Sequence, residues 1–314
     1  MSEYLLKANN LSKHYWKQKA VDNVNMHIKK GSIYGLIGRN GSGKTTLLKM
    51  ISGLAIPTGG QIELFGNKGK EVKNVLNRIG ILIDTPGLYP SMNAFDNLKL
   101  KAICSGMYKK RWIFKKNYID GILDMIGLGD TGNKKVEKFS LGMKQRLGIG
   151  MALIGEPDLL LLDEPINGLD PQGIVEVRET IIRLNAERNI TVIISSHILE
   201  ELYKIATNFG IINQGVLIEE LSKEELLIKC NERIEIFLEE PERACTILDR
   251  LNIHNYQVVN NQTIHVFERL NDIGEINMEL SASNIKVKSI YANRTNLEKY
   301  FLELTGGDEN AECY

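Results

Sequence analysis

The octet GRNGSGKT, residues 38–45, lies between an apolar run, IYGLI, and a stretch, KTTLLKMI, whose apolar residues recur at helical spacing. It fits G-x-x-x-x-G-K-[ST], from Gly38 to Gly43, Lys44 and Thr45. Glycines let backbone N–H groups approach a ligand closely and point inward, because they lack Cβ and tolerate positive φ. Successive N–H groups of that kind form a nest for an anion. A helix starting behind the nest adds its unpaired N–H donors and the positive end of its dipole. The spacing therefore predicts a phosphate cradle of strand, loop and helix, with Asn40, Gly41 and Ser42 in the loop and Thr46 behind Thr45. Lys44 is expected to reach the outer phosphates, and the Thr45 hydroxyl to hold Mg²⁺. The plain alternative, a Gly-rich turn with a chance lysine, does not explain the strand before and the helix after.

The rest of the first two thirds alternates in the same way. DLLLLDEP is a continuous apolar strand of the kind buried on both faces of a parallel sheet. GIVEVRETIIRLNAER reads as a helix and ITVIISSH as the next buried strand. From about 90 to 155 the pattern turns helical. Together these predict an α/β domain over 1–222 with a helical subdomain at about 90–155. A small α+β domain, a ferredoxin-like split βαβ sandwich, is expected over 230–306, followed by a frayed tail at 307–314.

Lys+Arg and Asp+Glu both total 39, so nothing global attracts nucleic acid or an anionic surface. No apolar run approaches the ~20 residues that span a bilayer. The opening MSEYLLKANN lacks an apolar signal core, so the chain is expected to stay inside the cell. The four cysteines form no CxxC pair and are expected to be reduced thiols.

Asp163 closes the LLLLD strand, at the carboxyl end where α/β sheets bind ligands. There it can hold Mg²⁺, and Glu164 beside it is the right type to activate a water. An acidic pair capping the following helix is the simpler reading. His197 ends the next strand, placed to touch a terminal phosphate or to serve structure alone.

The order of these pieces resembles an ABC-family ATPase across residues 4–220. FSLGMKQR resembles that family's signature: Ser140 and Gly142 match its serine and second glycine, while Leu141 and Met143 depart from it. Alone, Ser140 would be an ordinary helix N-cap. NGLDP, Asn167 to Pro171 and including Asp170, resembles the family's D-loop. Tyr15 in KHYW lies where the family stacks adenine. The resemblance implies ATP and Mg²⁺ as cofactors and a head-to-tail homodimer. Each ATP would be sandwiched between one chain's phosphate loop and its partner's Ser140. Asp84 stands where the family usually has a glutamine; it is expected to contact Mg²⁺ or water, against the alternative of a turn aspartate before Thr85–Pro86.

TPGLYP, after Asp84, and NLEKYFLELTGG near the end resemble the branch of bacitracin and lantibiotic self-protection exporters. That implies an ATP-hydrolysing motor on the inner face of the cell membrane, paired with separate integral-membrane permease subunits. The alternatives are a soluble ABC ATPase not tied to transport and an ATPase serving a different cargo. The basic run YKKRWIFKK, 108–116, reads as a solvated helix face or as a contact with anionic headgroups.

Overall fold

The computed structural model describes residues 4–16, 18–106, 116–230, 233–293 and 297–306. The chain divides into two compact units, Met1–Lys223 and Glu224–Tyr314. Most of the basic run 108–116, and the whole tail 307–314, lie outside the described residues.

In the first unit the strands are β1 (Tyr4–Tyr15), β2 (Gln18–Lys29), β3 (Ile33–Ile37), β4 (Gly59–Leu64), β5 (Asn67–Lys68), β6 (Ile79–Leu82), β7 (Leu159–Asp163), β8 (Thr191–Ser196), β9 (Asn208–Asn213) and β10 (Val216–Ser222). The helices are α1 (Lys44–Ile51), α2 (Ala94–Cys104), α3 (Lys116–Met125), α4 (Leu141–Leu153), α5 (Pro171–Arg188) and α6 (Leu199–Tyr203). A six-stranded sheet runs β10-β9-β3-β8-β7-β6, parallel except for β10 against β9. Its three central strands carry the unbroken apolar runs, and every residue of β3, β7 and β8 is buried. A parallel sheet covered on both faces requires that pattern.

A second, antiparallel sheet runs β2-β1-β4-β5. Leu6 and Met26 from it, Leu47 and Leu48 of α1, and Leu36 and Leu161 of the larger sheet share one core. α1 is thereby held under the end of β3, which fixes the loop between them. α2, α3 and α4 pack on one another. At their start, Gly142 of α4 lies against Gly173 of α5: a Cβ on Gly142 would meet the Gly173 Cα at 3.3 Å.

The second unit opens with α7 (Lys223–Lys229), whose first residue belongs to the first unit, and continues β11 (Arg233–Leu238), α8 (Pro241–Arg250), β12 (Tyr256–Asn260), β13 (Thr263–Val266), α9 (Ile273–Ala282), β14 (Val287–Asn293) and α10 (Leu297–Leu304). From β11 to β14 this is βαββαβ, a ferredoxin-like order, with an antiparallel sheet β12-β13-β11-β14. Ile234, Ile236 and Ile264 of the sheet bury against Ala244 and Leu248 of α8 and Ile276 of α9.

Candidate nucleotide site

The loop from Gly38 to Gly43 leaves the carboxyl end of β3 and turns into α1. Gly43 sits at φ 108°, where a side chain is strained, and a Cβ there would come within 2.5 Å of the Ala20 carbonyl. A Cβ on Gly38 would come within 2.3 Å of Ser42 Oγ and 2.5 Å of the Ile212 carbonyl. The glycines are thus demanded by the packing of this loop as well as by its conformation.

Lys44 is buried, and its ammonium donates to the carbonyls of Gly38 at 2.7 Å and Arg39 at 3.2 Å. It also lies 3.1 Å from Glu164 Oε1. That contact is an ion pair by distance but lacks the angle of a hydrogen bond, so Glu164 Oε1 has no hydrogen-bond partner among the described residues. Ser42 Oγ is buried and equally without one. No side chain caps the first turn of α1. A buried cation, two orphaned oxygens and an uncapped helix start converge on one cavity of about 540 Å³. Lys44, the Ser42 hydroxyl and the α1 N–H groups are the donor set a polyphosphate satisfies, while Glu164 Oε1 can only accept, as from a water.

Both carboxylates stand at the end of β7, beside Ser195 and His197 at the end of β8. Asp163 Oδ2 accepts from Thr45 Oγ1 at 2.6 Å, and its Oδ1 from Ser195 Oγ at 2.5 Å. Ser195 Oγ in turn accepts from the Glu164 N–H at 3.0 Å. Glu164 takes a left-handed backbone, φ 47°, the kind of strain a structure retains where a side chain must be aimed. Its Oε2 lies 2.9 Å from His197 Nδ1. Thr45 and Asp163 form a hydroxyl–carboxylate pair of the type that holds Mg²⁺ beside phosphates, so the chemistry of the donors fits that ion.

Sequence reasoning and structure bring the same residues together for the most part. Asn40, Gly41, Ser42, Gly43, Lys44, Thr45, Thr46, Glu164 and Tyr15 line the cavity. Tyr15 is exposed, with Lys13 Nζ 4.9 Å from its ring centre. Asp84 is not brought to Thr45 and Asp163 here. It turns at φ 62°, its carboxylate pairs with Lys49 at 3.0 Å, and it lines a separate cavity with Leu82 and Pro86. Ser140 and Asp170 each cap a helix, accepting from Met143 N at 3.2 Å and Gly173 N at 3.1 Å. Neither they nor Gly142 line the nucleotide cavity. Missed by the sequence reading were Ser195, which ties Asp163 to Glu164, and the cavity walls Gln18, Lys19 and Gln214. The SSH at the end of β8 held a signal for Ser195, since a serine closing a buried strand needs a partner. Gln18 and Lys19 open β2, Gln214 lies in the β9–β10 turn, and none carries a local signature.

The ABC transporter family profile matches residues 21–167. The bacitracin transport ATP-binding protein BcrA of Bacillus licheniformis is 43% identical over 305 residues, covering 96% of this chain and 98% of that one. The chain belongs to the ABC transporter ATP-binding family. The lantibiotic transport ATP-binding protein SrtF of Streptococcus pyogenes is 44% identical over 216 residues, covering 69% of this chain and 90% of that one. Among solved structures, cbiO1 from Clostridium perfringens, part of the ABC transporter complex cbiONQ, superposes with TM-score 0.63 at 26% identity, covering 80% of this chain and 97% of that one. The ATP-binding cassette MJ0796, dimeric and bound to ADP and Pi, superposes with TM-score 0.61 at 26% identity over 69% of this chain and 98% of its own. As an ABC ATPase this chain binds ATP.

Proposed function

We propose that this chain is the ATP-hydrolysing motor of an exporter of bacitracin- or lantibiotic-like peptide antibiotics, acting at the inner face of the cell membrane with separate permease subunits. The observation that carries the hydrolytic reading is the continuous contact from Thr45 through Asp163, Ser195 and Glu164 to His197. The cargo reading rests on likeness along nearly the whole chain to a bacitracin transport protein. No helix among the described residues is long and apolar enough to cross a membrane, which supports a permease on other chains.

When bound, Mg-ATP supplies the scissile phosphoanhydride and the charge that polarises it. Lys44, with the N–H groups at the head of α1, binds the outer phosphates and stabilises the negative charge that develops there. Thr45 Oγ1 and Asp163 would hold Mg²⁺. Lys44, drawn to the phosphates, would give up its ion pair with Glu164 Oε1. That carboxylate then accepts the proton of the attacking water, while His197 Nδ1 and Ser195 Oγ hold its side chain and backbone in line. Ser140, Gly142 and the start of α4 donate to the nucleotide held by a second copy, so two chains close on ATP and part after hydrolysis.

The test is expression together with the permease in a sensitive bacterium. Tolerance of bacitracin or a lantibiotic should rise with the parent chain and return to baseline with Lys44→Ala or Glu164→Gln. Unchanged tolerance from a chain that hydrolyses ATP normally would remove the cargo assignment and leave the ATPase standing.

A further inference from the structure

β1 and β2 are joined by a hairpin of two residues, Trp16 and Lys17, closed by the pairing of Tyr15 with Gln18. Such a turn needs positive φ, which glycine, asparagine or aspartate usually supplies. Here Trp16 takes φ 55°, a conformation that strains a bulky residue. Its side chain is fully exposed, so no packing within the fold offsets the strain. The residues on either side are placed differently. Tyr15, Gln18, Lys19 and Ala20 all line the nucleotide cavity, which puts Trp16 at its rim. Lys13 Nζ, fixed by donating to the Ile56 carbonyl at 2.7 Å, lies over one face of the Tyr15 ring and leaves a base the other. Successive side chains of an extended strand point to opposite sides. A left-handed residue at the tip escapes that alternation and can turn its ring to the side of Tyr15.

We propose that Trp16 is a second base-binding residue, whose indole packs on the base that stacks on Tyr15, so that the hairpin tip holds the nucleotide with two aromatic rings. The inference rests on Tyr15 as the base-stacking residue. An indole offers a large π-surface, and stacking on it is tolerant of which base is held. An exposed side chain changes rotamer within nanoseconds, so the ligand can order it on arrival. The strained turn then has a use: glycine or asparagine would form the hairpin more easily but would bring no ring. A tryptophan among lysines is also the composition of a membrane-surface contact. That alternative gives no reason for the tip to stand at the wall of the nucleotide cavity.

The test is the emission of Trp16 in the full chain, with the only other tryptophan, Trp112, replaced by phenylalanine. Mg-ATP should quench it saturably, over the concentrations that displace a labelled nucleotide. Mg-tripolyphosphate, which has the phosphates and no base, should displace the label without quenching. Trp16→Ala should weaken ATP binding about 5- to 150-fold and leave tripolyphosphate binding at the parent value. Trp16→Phe should restore most of the loss. Trp16→Gly should bind ATP as poorly as Trp16→Ala without a lower melting temperature, because glycine relieves the turn. ATP binding that leaves Trp16 emission unchanged overturns the proposal. So does an equal loss of ATP and tripolyphosphate affinity in Trp16→Ala, the mark of a distorted loop. A blue shift on phosphatidylglycerol vesicles, the same with and without ATP and in place of quenching, also overturns it and gives Trp16 to the membrane surface. Tyr15→Ala separates the two aromatic readings. Parent-like ATP affinity in that variant, with quenching intact, removes Tyr15 from the base site and leaves Trp16 standing as the stacking residue. Phosphate binding is reported by tripolyphosphate alone, so the phosphate loop stands or falls separately.

Discussion

At the scale of single residues, the nucleotide site makes demands that can be measured. Lys44→Ala removes a buried cation aimed at the phosphates, and ATP turnover should fall on the order of 10²–10³-fold or more. Glu164→Gln keeps shape and binding but loses the proton acceptor. Single-turnover hydrolysis should slow about 10²–10⁴-fold while a labelled nucleotide still binds. Parent-like turnover would move the base elsewhere. Ser195→Ala leaves Asp163 Oδ1 and the Glu164 N–H short of a partner, and should cost about 1–3 kcal/mol in urea unfolding. Asp84→Asn tests a different point. Asparagine tolerates the left-handed turn, and the Asp84–Lys49 pair is two thirds exposed at the carboxylate, so stability should change by no more than about 1 kcal/mol. The Mg²⁺ concentration for half-maximal ATPase should not move; a higher requirement would make Asp84 a metal ligand after all. The phosphate loop was legible because its chemistry is written in consecutive residues. The Thr45–Asp163 contact joins residues far apart in sequence and is legible only because the loop motif and the strand-end position each point to the same Mg²⁺. Lys49 as partner of Asp84 was not legible, because nothing in a sequence says which way a carboxylate at a turn will face.

Elements were read where they bury a periodic face and missed where they do not. β3, β7 and β8 are fully buried strands built on the apolar runs IYGLI, LLLL and VII, and α4 places apolar residues on its buried side. The 3-10 turns of Gly69–Arg78 bury no residue fully; Val72, Val75 and Leu76 lie half-buried against the core at i, i+3 and i+4, a short pattern easily passed over. The contact of α4 with α5 is a property of two elements together. Gly142 and Gly173 let the helix starts touch, and Arg146 locks them by pairing with Glu176 at 2.9 Å while donating to the carbonyls of Ile126 and Gly127 at 3.0 and 2.8 Å. Arg146→Ala should therefore lower stability by about 1.5–3 kcal/mol in chemical denaturation, chiefly through those two carbonyls. Should the loss prove negligible, Arg146 is not the tie between these helices.

For the molecule as a whole, one association is expected. Glu164→Gln should be single-copy without nucleotide and twofold in mass with Mg-ATP, because the ligand then bridges two chains. An unchanged mass would remove the nucleotide sandwich from the mechanism. The core of the second unit has a further consequence. Ile234, Ile236, Ala244, Leu248 and Ile276 bury one another within that unit, so damage there has no direct route to the phosphate loop. Ile236→Ala should weaken the second unit by about 2–5 kcal/mol, while a labelled nucleotide still binds the full chain with the parent's affinity.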